Sequence, residues 1–204
     1  MRLCERKFLK TPTFYSLFFI SAFTFGQKET DFLKEYQVKV NALTLPIGIL
    51  NAGLETPISN HFTLNGDILI SPWKSFKGNH LQIYMGNLEA RYYLKEKMNG
   101  LYIGPNLGLA FFDLQKWNYW NTNKYQRGLA VMFGATLGYQ YKINDRLSLD
   151  GFITGGNQQG NYKGYLKDPS IRYDSAEGFN KSGEWLVYKL GISLTYKFRT
   201  KKNL

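Results

Sequence analysis

Lys189–Phe198 reads KLGISLTYKF. Leu190, Ile192, Leu194, Tyr196 and Phe198 alternate with Lys189, Gly191, Ser193, Thr195 and Lys197 without a break. A period of two puts the two sets on opposite faces of a strand; a helix would scatter both around its circumference. Gly128–Lys142 (GLAVMFGATLGYQYK) repeats the pattern, with Leu129, Val131, Phe133, Ala135, Leu137, Tyr139 and Tyr141 on one face. In Leu101–Phe112, the set Leu101, Ile103, Leu107, Leu109 and Phe111 alternates with Tyr102, Gly104, Asn106, Gly108 and Ala110.

Weaker copies lie outward from these. Phe62, Leu64, Ile68 and Ile70 alternate with Thr63, Asn65 and Asp67, and Leu147, Leu149 and Ile153 with Ser148, Asp150 and Thr154. In the run 80–94, Leu81, Ile83 and Met85 are out of phase with Leu88, Ala90, Tyr92 and Leu94, which predicts a bulge near Gly86. Val38–Ala42 and Ile47–Thr56 complete a set of eight strands, with no convincing helix.

Eight antiparallel strands can form a sandwich, a soluble barrel or a membrane barrel. The chemistry of the two faces discriminates. The polar set here is small (Gly, Ala, Ser, Thr, Asn) with a few charges, which suits a narrow lumen. The apolar set is large and aromatic, which suits lipid. A face turned to water would carry more Lys and Glu. The expected connections alternate short (Ser59–His61, Lys95–Gly100, Asn144–Arg146) with long (Ser71–Asn79, Asp113–Tyr125, Gly156–Glu184). Leu45-Pro46 is the one short connection expected at the long-loop end. Short turns at one end and long loops at the other are the pattern of outer-membrane barrels. Aromatic girdles are expected at both ends: Trp73, Tyr84, Phe111, Trp117, Trp120, Tyr125, Trp185 and Tyr188 outside, and Tyr36, Phe62, Tyr92, Tyr102, Tyr139, Tyr141, Tyr196 and Phe198 on the periplasmic side. The fold class is therefore all-β, an eight-stranded antiparallel up-and-down transmembrane barrel, in preference to a soluble lipocalin-like barrel.

The chain of 204 residues begins with Arg2, Arg6, Lys7 and Lys10, followed by an uncharged apolar run from Thr13 to Phe25. That run is too short to span a bilayer but has the form of a signal peptide. Residues 1–26 are read as a signal peptide cleaved after Gly26, 27–35 as a periplasmic segment, 36–198 as the barrel and 199–204 as a basic tail. The only cysteine, Cys4, precedes the apolar run, so it is not placed for lipidation at the cleavage point and leaves with the leader. Losing four basic residues and Glu5 lowers the formal charge of +11 by three.

The chemistry available to such a chain is limited. A single cysteine and two histidines exclude a disulfide framework and the usual zinc clusters. No glycine-rich stretch joins a strand to a helix, so nucleotide binding is not indicated, and an exported barrel is no partner for nucleic acid. No catalytic residue, cofactor or metal site is assigned. His61 reads as a turn residue; His80 with Ser71 or Ser75 is a conceivable lipid-modifying dyad without supporting spacing. Lys39, Asp67, Glu89, Arg91, Lys142, Asp150 and Lys189 fall on the inward face. In a narrow barrel such charges must pair, so they are expected to form a salt-bridged plug, the alternative being a narrow pore. Trp117, Tyr119, Trp120 and Tyr125 in the loop Asp113–Tyr125 are the candidates for contact with a protein or glycan partner. The basic surplus suits lipopolysaccharide phosphates.

The stretches NAGLETPISNHFTLNGDILISPWK (51–74), LEARYYL (88–94) and GLAVMFGATLGYQYKINDRLSLDGFITGG (128–156), with the closing GISLTYKF (191–198), resemble a Bacteroidota family of small outer-membrane barrels. That family is catalogued as a domain of unknown function, OmpA/OmpX-like in its eight strands. The resemblance implies outer-membrane residence, contact with outer-membrane lipids and with the barrel-insertion machinery, and hints at an accessory role in surface assembly. Phe198 is followed by Arg199–Leu204, so the terminal aromatic residue usual in such barrels lies inside the chain.

Overall fold

The computed structural model describes residues 35–120, 122–174 and 178–199. The expected signal peptide, nearly all of the segment after it, and the tail beyond Arg199 lie outside the described residues. The strands are β1 (Glu35–Asn41), β2 (Leu50–Pro57), β3 (Phe62–Phe76), β4 (Asn79–Tyr93), β5 (Gly100–Leu114), β6 (Lys124–Lys142), β7 (Leu147–Leu166) and β8 (Asn180–Arg199). Each pairs antiparallel with the next, and β1 pairs with β8, which closes an up-and-down barrel. Among the described residues two short 3-10 turns, Leu45–Ile47 and Trp117–Tyr119, interrupt the loops.

Parity sorts the side chains as the alternation predicts. On β5, Tyr102, Asn106 and Ala110 are buried, while Leu101, Ile103, Leu107, Leu109 and Phe111 are exposed on the outer face. Polar residues turn inward and large apolar residues outward, the inverse of a water-soluble barrel. Some inward positions need glycine. Gly134 on β6 faces Gly156 on β7, and a Cβ on Gly134 would lie 2.1 Å from the Gly155 carbonyl oxygen. The two strands could not approach so closely with any side chain there.

The phase change in the run 80–94 has a different cause from the bulge expected there. The β3–β4 register runs unbroken through Ile68↔Gly86, and the β4–β5 register through Gly86↔Leu109. Leu81, Ile83 and Met85 simply occupy inward positions, because the lumen is apolar at that level. Met85, Ala110 and Met132 are buried there, with Leu69, Ile83 and Tyr188 packed against them. The register shifts lie between Trp73 and Phe76 on β3 and opposite Thr154/Gly155 on β8. At the second, Thr154 pairs with Lys189 and Gly155 with Val187, so Tyr188 is the extra residue. The bulge turns it inward, and its hydroxyl donates to Asn106 Oδ1 at 2.9 Å. Tyr188 therefore belongs to the lumen rather than to an outer girdle.

The connections also differ from expectation. Strands β3 and β4 run up to a two-residue turn at Lys77-Gly78, both with positive φ (48° and 81°), the conformation of a type I′ hairpin. Strands β7 and β8 extend to Leu166 and Asn180, so most of the expected loop 156–184 is strand. The connection between β1 and β2 is longer than expected, residues 42–49. Strand lengths are uneven: β1 has 7 residues and β2 has 8, whereas β7 and β8 have 20 each. The barrel wall is thus low at β1–β2 and tall along β6, β7 and β8. The other end carries compact turns, where His61 Nδ1 lies 3.0 Å from the Tyr93 carbonyl and the Ser59 hydroxyl accepts the Phe62 N–H. That is the turn role expected of His61.

Candidate functional site

The lower lumen, towards the compact turns, holds a charged network to which all eight strands contribute. Lys39 on β1 donates to Asp150 on β7 at 2.7 Å and also pairs with Glu55 on β2. Arg91 on β4 reaches Glu89 at 2.5 Å, Asp150 at 2.9 Å and Glu55 at 3.1 Å. Lys189 on β8 pairs with Asp67 at 2.6 Å, with Glu89 at 3.8 Å. Three cations thus face four carboxylates, and neutral donors take up the excess. Thr63 and Tyr93 hydroxyls donate to Glu55 at 2.5 and 2.8 Å, and the Tyr102 hydroxyl donates to Asp150 at 2.8 Å. Asn51, Asn65 and Asn87 amides serve Asp67, and Thr136 serves Glu89. The Arg91 guanidinium lies over the Tyr102 ring, 4.5 Å from its centroid. Tyr102 in turn lies against Gly138, where a Cβ would come within 2.3 Å of the ring.

Such a network is stable only when satisfied throughout, since a buried charge without its partner is costly. Its cross-links tie β1 to β7, β2 to β4 and β3 to β8, so it braces the barrel from within. The cavity left inside it, lined by Lys39, Asn65, Asp67, Arg91, Asp150 and Lys189 among others, is about 20 Å³. That is room for about one water molecule.

Six of the seven predicted lumen charges meet here: Lys39, Asp67, Glu89, Arg91, Asp150 and Lys189. Lys142 does not. It is exposed at the turn end of β6 and pairs with Asp145 at 3.1 Å. It continues the parity of its strand, but it lies beyond the last covered layer. Glu55, Tyr93 and Tyr102 belong to the network and were missed. Glu55 alternates with Leu54 and Thr56, a signal that was present but short. The expected periplasmic girdle includes Tyr102, but its even position places it with Asn106 and Ala110 on the inward face.

Above the network lies the apolar layer of Met85, Ala110 and Met132, and above that a mouth at the end with the longer loops. The mouth is a cavity of about 520 Å³ whose apolar walls come from Phe76, Leu81, Leu114, Trp120 and Leu186. Lys77, Lys116 and Glu184 stand around it, and Lys116 pairs with Glu184 at 2.5 Å. Of the four loop candidates, Tyr119 lies in the 3-10 turn and Trp120 is exposed, its Nε1 donating to the Gln115 carbonyl at 3.2 Å. Tyr125 is buried, stacked between His80 (4.1 Å) and Tyr165 (5.7 Å), so it is not a contact residue. The side chain of Trp117 lies outside the described residues. His80 is thus engaged with Tyr125, while the Ser71 hydroxyl donates to the Leu81 carbonyl. The two are not in contact as a dyad.

The loops are tied to one another. Asn123 Nδ2 donates to the Asp168 carbonyl at 3.0 Å, and Lys167 Nζ to the Gly78 carbonyl at 2.7 Å. Asp174 accepts the Gly164 N–H, Arg172 and Asn180 Nδ2. The Gly164 N–H, with Arg172, holds the Asp174 carboxyl below the usual range.

Among the described residues no three His, Cys, Asp or Glu side chains are arranged to hold a metal ion. No curated protein matches the chain significantly. One family profile, described as "Protein of unknown function (DUF3575)", matches residues 14–198, which span all eight strands up to Phe198, and the chain belongs to that family.

Proposed function

We propose that this protein is a small integral outer-membrane barrel, exported by a cleaved leader, that acts without catalysis as a structural or interaction protein. Its lumen is plugged, and its working surface is the loop end, where a protein or glycan partner or lipopolysaccharide would be met. An accessory role in a surface assembly fits this surface. The observation that carries the reading is the outward apolar band. From Leu101 to Phe111 on β5 there are ten rises of about 3.4 Å, about 26 Å of height at a tilt of about 40°. That matches the apolar band of about 25 Å on membrane barrels. Tyr36, Phe198, Tyr92 and Phe62 stand at one border, with Tyr36 stacked on Phe198 at 5.0 Å and Phe62 tilted against Tyr92 at 5.0 Å. Trp73, Tyr84, Phe111 and Trp185 stand at the other, all exposed.

Membrane fractionation with gel mobility before and after heating tests this reading. A membrane-bound protein whose band shifts on boiling is expected; a soluble protein without a shift refutes it. Planar-bilayer recording of the refolded protein should give no steady single-channel steps, and such steps would refute the plug.

A further inference from the structure

We infer that the mouth above the apolar layer is a binding cleft for an anionic, single-chain amphiphile, open sideways to the bilayer between β3 and β8. The inference rests on the membrane reading above and adds a ligand class to it.

The first observation is the low wall. Strand β1 ends at Asn41, opposite Ser193, and β2 begins at Leu50, opposite Ile70. Strand β8 continues beyond this level to Asn180, and β3 continues to Phe76. On the β8 side the last links are Ala42 N–H to Ile192 O (2.8 Å) and Asn41 Nδ2 to Leu190 O (3.2 Å). On the β3 side the last is Trp73 Nε1 to Ile47 O at 2.9 Å. Beyond these points, among the described residues, no strand pairs with the facing edges of β8 and β3. From Tyr36 to Asn41 the wall rises about 13 Å at a tilt of about 40°, half of the apolar band. The connecting segment accordingly exposes Leu43, Leu45 and Ile47, each about half accessible (51%, 52% and 45%). Residues of that kind suit a segment ending at lipid depth rather than in water.

The second observation is what lies behind the gap. The cavity of about 520 Å³ touches both of its sides, through Phe76 on β3 and Leu186 on β8. Leu81, Leu114 and Trp120 complete an apolar lining. Below it Met85, Ala110 and Met132 separate this space from the charged network, so a chain entering here meets no buried charge. Pockets of this size, mostly apolar with a few polar groups, are the usual form of small-molecule sites and recur in barrel mouths.

The third is the rim. Lys77 and Lys116 stand on the cavity, and Lys167 reaches the adjacent Gly78 carbonyl. Glu184, paired with Lys116, is the carboxylate among them. A chain lying in the cleft would place its head at this cationic edge, where a carboxylate or phosphate is favoured. The head chemistry has two natural sources, a free fatty acid and a lysophospholipid.

The full-length protein, refolded into sealed phosphatidylcholine vesicles, would be given stearate carrying a nitroxide near the chain terminus. Parallel arms would use the same chain as a lysophosphatidate and as a neutral methyl ester, read by electron paramagnetic resonance. The wild type should immobilise about one anionic probe per chain, and Leu114→Arg should reduce that at least tenfold. Leu186→Gln, a milder change at the opposite wall, should weaken it in the same direction should Leu114→Arg fail to fold. Preference for carboxylate or phosphate identifies the source. Equal immobilisation of the methyl ester overturns the anionic head. A signal seen in micelles but absent from sealed vesicles overturns the sideways access. No immobilised probe, or one unchanged by either variant, in protein that still shifts on heating overturns the cleft while leaving the barrel reading intact. Protein that fails to enter vesicles or to shift refutes the barrel reading instead.

Discussion

Replacing Arg91 with Met is the most informative perturbation of the lumen. The guanidinium reaches three carboxylates at 2.5–3.1 Å and covers the Tyr102 ring. Its loss leaves two cations, Lys39 and Lys189, against Glu55, Asp67, Glu89 and Asp150. Breaking a buried pair by removing one partner costs about 3–5 kcal/mol. Three contacts do not make three such penalties, because Lys39 stays with Glu55 and Asp150, while Lys189 stays near Glu89. The expected loss is therefore a single increment of about 3–5 kcal/mol. Arg91→Met combined with Glu55→Gln should recover at least about 1 kcal/mol, since contacting residues in one network couple at that scale. Lys142→Met, at an exposed pair, should change stability by less than about 1 kcal/mol. Equilibrium unfolding in urea, in vesicles, followed by tryptophan fluorescence and by the heat-dependent gel shift, measures all three. If Arg91→Met matches Lys142→Met within about 1 kcal/mol, the network does not brace the barrel.

Three further outcomes are expected. Tyr102→Phe removes one donor to a buried carboxylate and should cost about 1.5–3 kcal/mol in the same unfolding assay. Gly134→Ala places a methyl carbon 2.1 Å from a backbone oxygen that cannot move aside, so it should lower the refolded fraction far more than Met132→Leu, a volume-conserving change costing less than about 1.5 kcal/mol. Asp174 is depressed by its contacts, so the hold it gives the loop is fully present above its unfolded-state pKa and is lost as pH falls through the folded one. Exchange of the Gly164 amide, compared with Asp174→Asn at each pH, should converge with the variant only in acid.

Much of the architecture was legible in the sequence because lipid on one side and a crowded lumen on the other impose opposite chemistry on alternate residues. The unbroken alternation that begins at Lys189 begins there for a structural reason: Tyr188 is the bulge, and above it the parity reverses. The pattern failed where that contrast vanishes. Residues 156–166 (GNQQGNYKGYL) form strand with polar groups on both faces, so nothing in their hydropathy separates them from loop. The change of phase in the run 80–94 reflected a lumen that turns from polar to apolar along its axis, which a two-state pattern reads as a shift of register. Tyrosines were the other source of error. A ring with a hydroxyl suits an interface and suits a buried carboxylate equally, so residue type does not separate Tyr92 from Tyr93; parity does, placing Tyr93 with Glu89 and Arg91, where its hydroxyl donates to Glu55. Loop contacts were least legible, since Tyr125 is buried by strands far from it in sequence.

The ring closes along its shortest strand. The seam between β1 and β8 runs over the 7 residues of β1, whereas β6 and β7 zip together along the 19 of β6. This seam joins the two ends of the described barrel, and with the pairing of β1 and β2 it is among the shortest in the ring. Lys39 compensates for this. It lies on the seam strand but bonds to Asp150 on β7, skipping β8, and to Glu55 on β2. The network therefore acts as a clasp set across the seam. Its pair with Glu55 joins neighbouring strands, but its pair with Asp150 spans the seam, so that cross-link forms only in a ring that has no open edge left.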